Sequence, residues 1–406
     1  MATETSDDTR HSWRDLFRNR DFLRLWTVGL VIFSVRWLET LAVGVFVYAA
    51  TESAFQVALV TMLRLLPMSL FGAFIGATAE RIEKRSGLIA IMVFSLVTSL
   101  ALAVLAAAGM LAVWHLAVAS FINGLSWAAD NPVRRALVGQ VAGTARMGTA
   151  MSLDVGTNNA SRMLGPTAGG VLLATFGIEG TFLVGAAFYA LGLVAAIRIQ
   201  ARNAPQSGPQ APVLARIAEG FALVRGDRRL IGTLAITIIF NLFGWPFTSM
   251  IPVIGRDQLG LGPEGVGVLG SLDGVGAFIG AVAVALWAGP RHYKLCYLGG
   301  VSLYLIGVLL FAVTTNVAIA GAALMLAGFA QAGFSIMQAT LVYTAAPAEM
   351  RGRVLGILTV CIGLGPIGFI HVGLLAEVIG APWATALVAL EGLLMVALTR
   401  RWWKAI

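Results

Sequence analysis

Long apolar segments separated by short polar loops dominate the hydrophobic pattern of this chain. The apolar runs are roughly 20 to 28 residues long, which suits helices that cross a hydrocarbon core ~30 Å thick. Strands of a membrane barrel would instead be about 10 residues long with strict alternation, and the sequence contains no such segments. Run lengths and loop residues predict about twelve membrane-spanning helices. The predicted spans are 22–50, 55–79, 86–109, 112–138, 147–175, 178–199, 230–256, 264–289, 293–314, 317–344, 351–379 and 382–402.

The composition supports a membrane protein over a soluble one. Of the 406 residues, 58% are hydrophobic and only 12% are charged, whereas a soluble domain carries roughly twice that charged fraction. So few polar residues cannot cover the surface of a soluble protein, whereas a protein surrounded by lipid needs an apolar surface. The two cysteines, Cys296 and Cys361, and the four histidines form no spacing typical of a disulfide framework or a metal site. We therefore expect no cofactor and no metal.

The distribution of basic residues predicts the orientation of the chain. The formal net charge of +8 comes largely from lysines and arginines in short loops, which indicates membrane topology rather than nucleic-acid binding. If the N-terminus is cytoplasmic, Arg256 is the only basic residue in the outer loops. We therefore expect a multi-pass protein of the inner or plasma membrane with both termini in the cytoplasm.

One long polar stretch, residues 200–229, divides the chain into two halves of similar length. We interpret it as a cytoplasmic linker between two six-helix bundles, predicted at 22–199 and 230–402. Short cytoplasmic segments are expected at 1–21 and 403–406.

Two motifs repeat between the halves. The sequence Gly-Ala-Phe-Ile-Gly-Ala at 72–77 recurs at 276–281, and Leu-Gly-Pro at 164–166 recurs at 364–366, in each case about 200 residues later. With six spans per half, both halves keep the same orientation, so they form a parallel repeat about an axis along the membrane normal. The predicted fold is an all-α membrane protein whose two pseudo-symmetric bundles enclose a central cavity.

The loop after the second span carries a recognisable signature. It reads Gly-Ala-Thr-Ala-Glu-Arg-Ile-Glu-Lys-Arg at 76–85, which is a glycine, the acid–arginine pair Glu80–Arg81, and a basic cluster. This loop resembles the signature between the second and third helices of the major facilitator superfamily. The resemblance covers essentially the whole chain and implies that superfamily's twelve-helix fold.

Four further segments point to a branch of that superfamily. Residues 16–22, 131–134, 162–166 and 347–354 together resemble the bacterial macrolide-efflux-like and enterobactin-exporter-like transporters. That resemblance implies outward transport of small amphipathic molecules, usually driven by proton influx, by a monomer embedded in lipid.

Charged side chains within the first two spans are the strongest site candidates, because a charge in mid-membrane normally faces a cavity or a partner. Arg36 and Glu39 lie three residues apart near the middle of the first span. Glu39 could carry a proton or meet a cationic group while Arg36 holds an anion, or the two could form a permanent ion pair. Arg64 in the second span could meet Glu39 or an anionic substrate. The resemblance implies an arginine in the fourth span, but Asn123 occupies that region, which shifts the proton role to Glu39.

The fifth span combines a polar stripe with a glycine–proline motif. Asp154, Asn158 and Arg162 recur every four residues, and we expect Asn158 and Arg162 to line the cavity. The motif that begins at Gly165 and Pro166 resembles the antiporter signature of the fifth helix. It could serve close packing, gating, or both.

Other charges suggest gates. Asp130 and Arg134, spaced by one helical turn near the cytoplasmic end of the fourth span, form a predicted latch with Glu80 and Arg81. Asp273 in the eighth span is a candidate for an outer gate.

The second half offers mainly neutral candidates. Asn241, Trp245, Gln331 and Gln338 suit contact with an amphipathic ligand. The segment 243–247, Phe-Gly-Trp-Pro-Phe, predicts a break in the seventh span because glycine and proline interrupt a helix.

These features favour a secondary active exporter of drug-like or siderophore-like molecules that works by alternating access as a proton antiporter. The chain has no nucleotide-binding Gly-x-x-x-x-Gly-Lys signature, so the driving force must be a gradient. Proton-coupled uptake and lipid or lysolipid transport remain alternatives, as does, more remotely, a membrane sensor that transports nothing. A membrane enzyme is not supported, since no nucleophile–base or metal constellation is present.

Overall fold

The computed structural model describes residues 15–201, 221–347 and 350–404, and helices make up nearly all of them. Within the helices, the side chains at 73, 76–81, 144–145 and 352–353 lie outside the described set. Two predictions are affected. The Glu80 and Arg81 side chains of the predicted latch lie outside the described residues, and so does most of the predicted linker.

The first half consists of three separate helices and one long helical stretch. These are α1 (Arg20–Thr51), α2 (Ala54–Arg81), α3 (Lys84–Ala107) and the stretch Val113–Ile197.

Two glycines divide that stretch into three helices. Gly143 and Gly177 have φ angles of 70° and 68° with extended ψ angles, a conformation that glycine adopts readily and that ends a helix. We call the resulting segments α4 (113–142), α5 (144–176) and α6 (178–197). The chain thus reverses direction twice without a long loop.

The second half again contains six membrane-spanning segments, two of which are irregular. They are α7 (Arg228–Asp257), α8 (Pro263–Trp287), α9 (Tyr293–Val313), α10 (Val317–Ala345), α11 (Arg351–Ile362 continued by Gly365–Ile379) and α12 (Ala381–Leu398).

The predicted break in the seventh span is confirmed. Within α7, a π-helical turn at Phe240–Gly244 is followed by a 3-10 segment at Trp245–Met250. Pro246 has no backbone N–H and its ring disturbs the preceding turn, so the regular hydrogen-bond ladder cannot continue. The break places Trp245 at the middle of the membrane.

By length and apolar composition, ten candidate spans occur among the described residues. The difference from about twelve has two causes. Arg146–Ile197 counts as one span of 52 residues, although the bend at Gly177 makes it two crossings. Segment α4 is not counted because it carries Asp130, Arg134 and other polar residues. The predicted all-α fold of two six-helix bundles is confirmed.

Polar residues define several helix starts. Asn19 accepts hydrogen bonds from the backbone N–H groups of Asp21 (3.0 Å) and Phe22 (3.3 Å) at the start of α1. Asp227 and Asn316 cap α7 and α10 in the same way. Successive helices run in opposite directions, so α1 begins and α12 ends at one face of the molecule. We call it the terminal face and the opposite one the distal face.

Large apolar side chains cover the outer surface of both bundles. Phe94, Leu183, Leu286 and Val378 are all well exposed. In water such a surface would cause aggregation, whereas in lipid it is the expected contact with acyl chains.

A central cavity between the two bundles

The two bundles meet most closely where α5 packs against α8. A Cβ atom on Gly267 would stand 2.6 Å from the carbonyl oxygen of Pro166, and one on Gly274 would stand 2.7 Å from that of Arg162. Gly170 faces α8 at equally short range. Only glycine permits this approach, so the glycines of α5 and α8 set the distance between the bundles.

The glycine–proline motif of α5 contacts two neighbours. A Cβ atom on Gly165 would stand 2.6 Å from Cβ of Trp37, so this glycine allows α5 to pack on α1. Pro166, one residue further on, faces α8 across the bundle interface. The motif therefore packs the first bundle and also forms its contact with the second. A gating role remains a proposal.

Polar contacts join the bundles at the distal face. The Tyr48 hydroxyl at the end of α1 donates to Asp257 at the end of α7. Glu377 of α11 accepts from the Ser53 hydroxyl at 2.5 Å and from the Phe55 backbone N–H at 3.0 Å. The polar contacts between bundles that we identify in the described part of the chain lie between mid-membrane and this face. The structure is therefore closed at the distal face.

Below this closure lies the central cavity, of about 100 Å³, between the two bundles. Sites for drug-sized ligands typically measure about 300–1,000 Å³, so the bundles must move apart to admit such a molecule. The charged residues of the lining are Arg36, Arg64, Arg162 and Asp273.

Aromatic rings form much of the remaining wall. Trp37 and Trp127 come from the first bundle, and Trp245 and Phe369 come from the second. Of these, only Trp245 is among the site residues that we predicted from sequence. The signal that could have found Trp37 and Trp127 was their position far from the ends of their spans, since tryptophan is usually enriched at the membrane interfaces. Phe369 offered no such signal.

Arg36 lines the cavity as predicted, but not as half of a pair with Glu39. Its guanidinium carbon lies 4.3 Å from the centre of the Trp127 ring and 5.4 Å from that of Phe33. Its Nη2 atom is buried and has no hydrogen-bond partner. Among the described residues, Arg36 forms no ion pair within 4.0 Å.

Glu39 points into the first bundle instead of the cavity, which corrects the predicted cavity pair. Side chains three residues apart on a helix point in directions that differ by about 60°. Here this difference directs Glu39 toward α3 and α4. Its carboxylate accepts from the Ser99 hydroxyl at 3.1 Å and from the Asn123 amide at 3.5 Å. Arg64 lies close enough to attract it electrostatically.

Arg64 occupies the cavity wall beside this acid. Its Nη1 donates to the Thr40 hydroxyl at 2.8 Å, while its buried Nε has no partner. The neighbouring helix α4 comes close at Gly124, which faces the Arg64 carbonyl oxygen directly. The backbone position of Arg64 is therefore fixed even though its head group is only partly bonded.

The three polar side chains of the α5 stripe contact different parts of the structure. Arg162 lines the cavity and forms hydrogen bonds across the bundle interface with Asp273 of α8 and Gln331 of α10. Asn158 was expected to line the cavity as well, but it accepts from the Trp37 indole N–H at 3.4 Å and is absent from the lining. Each step of four residues slightly exceeds one turn of 3.6 residues, so successive side chains of the stripe point in different directions around the helix.

Asp154, the third member of that stripe, belongs to a buried ion cluster with Arg134 and Asp130. The Arg134 guanidinium donates to both carboxylate oxygens of Asp130, at 2.8 and 3.1 Å, and also to Asp154. It lies against Gly29 of α1, where a Cβ atom would stand 2.8 Å from Nη1. The cluster joins α1, α4 and α5 within the first bundle, and its predicted contact with Glu80 and Arg81 lies outside the described side chains.

Two neutral candidates of the second half lie away from the cavity. Asn241 donates to the Thr237 carbonyl oxygen at 2.9 Å, and Gln338 donates to the Thr237 hydroxyl at 3.1 Å. The Tyr297 hydroxyl completes this buried network at 2.9 Å from the same hydroxyl. Neither side chain lines the central cavity in this conformation, because the π-helical turn rotates Asn241 into the bundle. Contact of Asn241 and Gln338 with a ligand stays a prediction.

Comparison with known proteins agrees with this architecture. The family model for transmembrane secretion effectors matches residues 12–404. The staphyloferrin A transporter of Staphylococcus aureus is 22% identical over 87% of this chain and 88% of its own length. The macrolide efflux protein A of Streptococcus pyogenes is 20% identical over 88% and 90%, respectively. The crystal structure of the nucleoside transporter NupG superimposes with a TM-score of 0.75, with 14% identity over 95% of this chain and 99% of that one. The chain therefore belongs to the transmembrane secretion effector family of major facilitator transporters.

Proposed function

We propose that this protein exports small amphipathic molecules across the plasma membrane by alternating access, as a proton-coupled antiporter. The supporting observation is the central cavity, which combines guanidinium groups of the first bundle with aromatic rings of both bundles. A cavity shared between two rigid bundles can open to either face when they rock. The efflux activity in the name of macrolide efflux protein A also favours the outward direction.

We propose that the terminal face lies in the cytoplasm, because the distribution of basic residues along the sequence favours that orientation. In that orientation the closed distal face is extracellular. Release of substrate to the outside then requires the contacts that Tyr48, Ser53 and Arg162 make with the second bundle to break. We propose that Pro166 and Asp273 take part in this gate because they lie at the interface between the bundles. Gly165 is included in the proposal because it sets the packing of α5 on α1 directly beside that interface.

Glu39 is the proposed proton site. A void of about 20 Å³, large enough for one water molecule, is lined by Asn123, Arg36 and Arg64. The two arginines also line the central cavity, and Asn123 donates to Glu39. This void gives a proton a short polar route between the cavity and the carboxylate.

The Glu39→Gln variant is expected to lose proton coupling while keeping transport down the substrate gradient. The glutamine oxygen can still accept from Asn123, and its N–H group can donate to the Ser99 hydroxyl, whose own proton goes to the Phe182 carbonyl oxygen. Glutamine cannot bind or release a proton at neutral pH. The measurement is flux of lipophilic cations, macrolides, catecholate siderophores and aromatic carboxylates in proteoliposomes, with and without an imposed pH gradient. We expect gradient stimulation in the wild-type protein and none in the variant.

Glu391→Gln provides a matched control. Glu391 is an acidic residue within α12. Its Oε2 atom lies 2.8 Å from Nε2 of His371, and its side chain does not line the central cavity. Its replacement should leave gradient stimulation intact. Stimulation that survives in Glu39→Gln would refute the proton role of Glu39, and an absence of flux for every compound would refute the transport function itself.

A further inference from the structure

We infer that the substrate of the central cavity is an organic anion, a carboxylate attached to an apolar, ring-bearing body. This inference rests on the proposed transport function and specifies its substrate class. Two observations support it, namely the excess positive charge of the cavity lining and the buried arginine nitrogens that have no hydrogen-bond partner.

The cavity lining carries three arginines and a single acid. Asp273 is already bonded to Arg162, so it cannot compensate the other two. Arg36 and Arg64, which are 7% and 8% exposed, form no ion pair among the described residues. The lining therefore presents a positive excess to whatever enters.

Other acids lie nearby but do not neutralise these groups directly. Asp130 attracts Arg36 and Glu39 attracts Arg64 from inside the first bundle. Asp130 accepts hydrogen bonds from Nε and Nη2 of Arg134, and Glu39 accepts one from the Ser99 hydroxyl. Both arginines thus face the cavity with their charge only partly balanced.

The unbonded guanidinium atoms point to an acceptor. Nη2 of Arg36 and Nε of Arg64 are buried without a hydrogen-bond partner. A buried donor without a partner is unfavourable, and an anionic acceptor that entered the cavity would relieve both. The planar fork of arginine matches a carboxylate in geometry as well as in charge.

The aromatic walls define the rest of the molecule. Trp127 lies under the Arg36 guanidinium and Trp37 lies 5.5 Å from that of Arg162, while Trp245 and Phe369 face them from the second bundle. Flat apolar surfaces of this kind bury rings or hydrocarbon next to the charged head. A lipophilic cation would meet repulsion from the guanidinium groups of Arg36 and Arg64, so the cavity disfavours it.

The test compares two probes with the same ring and opposite charge, 2-naphthoate and 2-naphthylmethylammonium. Isothermal titration of the purified full chain in detergent measures their binding, and proteoliposomes measure their flux. We expect the wild-type protein to bind the carboxylate at least roughly tenfold more tightly than the ammonium compound. A charge-assisted hydrogen bond contributes about 1.5–3 kcal/mol, so Arg36→Gln and Arg64→Gln should each weaken carboxylate binding roughly ten- to hundredfold.

Two controls separate recognition from damage to the fold. Arg24→Gln removes an arginine of α1 that pairs with Asp21 and lies outside the cavity, and it should leave both affinities unchanged. Arg36→Lys keeps the charge but loses the fork, so it should fall between the wild type and Arg36→Gln. The ratio of the two probe affinities within one variant is insensitive to the fraction of folded protein.

The outcomes distinguish this inference from the proposed function. Absence of carboxylate binding, or tighter binding of the ammonium probe, overturns the anionic substrate class even if another compound is transported. Carboxylate binding without flux of any compound supports the anion site and overturns the transport function.

Discussion

Replacing Arg134 with methionine is expected to produce the largest loss of stability of any single substitution in the first bundle. Arg134 is 1% exposed and is the shared partner of Asp130 and Asp154. Methionine fills similar space but leaves two carboxylates buried without their cation. Breaking a buried pair in this way costs about 3–5 kcal/mol. Thermal unfolding of the detergent-solubilised protein should show a clearly lowered midpoint.

Two further variants test whether charge or packing causes that loss. The triple variant Asp130→Asn, Arg134→Met and Asp154→Asn removes all three charges and should recover much of the stability, since neutral replacements of buried ion clusters are often tolerated. Arg24→Met breaks a partly exposed pair with Asp21 and should change stability by less than about 1 kcal/mol. If Arg134→Met unfolds no earlier than Arg24→Met, the cluster does not stabilise the bundle. Arg135, whose Nε lies 3.5 Å from Asp154, could then be its substitute cation.

The helices were largely predictable because each apolar run matches the thickness of the bilayer. The predicted break near Trp245 followed from glycine and proline alone, and the structure confirms it. The reversals at Gly143 and Gly177 were expected only as gaps between spans. Their sharpness depends on a positive φ angle at one residue, and many of the other glycines in the sequence remain within helices.

Side-chain direction was the part that the sequence did not determine. Arg36 and Glu39 were expected to act as a pair, but each side chain turned toward its own nearest partner, Arg36 toward Trp127 beside the cavity and Glu39 toward Ser99 inside the first bundle. Asn158 failed for the same reason, because the indole N–H of Trp37 was the nearer donor. Such choices depend on tertiary neighbours that no spacing rule contains. By contrast, the prediction that Arg162 lines the cavity held because an arginine in mid-membrane must reach a polar surface.

Arg162 belongs both to the cavity lining and to the contacts that close the distal face. The same guanidinium that lines the central cavity also binds Asp273 and Gln331 of the other bundle. A substrate carboxylate at this position would compete with Asp273 for Arg162. Binding of substrate and release of the distal closure would then be coupled through one side chain, since a ligand shifts an equilibrium only by interacting differently with the two states.

Asp273→Asn is expected to open the distal face. Asparagine keeps one hydrogen bond to Arg162 but removes the charge, which weakens a contact worth about 1.5–3 kcal/mol. The difference between a charged and a neutral hydrogen bond is about 1–1.5 kcal/mol, so the fraction of molecules open at the distal face should rise roughly five- to tenfold. The measurement is labelling by a membrane-impermeant maleimide of a cysteine placed at Thr61 in the cavity wall. Cys296 and Cys361, which are both free, are replaced by serine in this background.

The side of labelling distinguishes gating from general loosening. Asp273→Asn should accelerate labelling from the distal face without accelerating it from the terminal face, because a bundle that rocks open at one face closes at the other. Exchanging the charges, Arg162→Asp with Asp273→Arg, should restore slow distal labelling. Glu264→Gln, an exposed acid on the same helix, should have no effect. Equal acceleration from both faces would mean that Asp273 maintains the fold of α8 rather than the closure between the bundles.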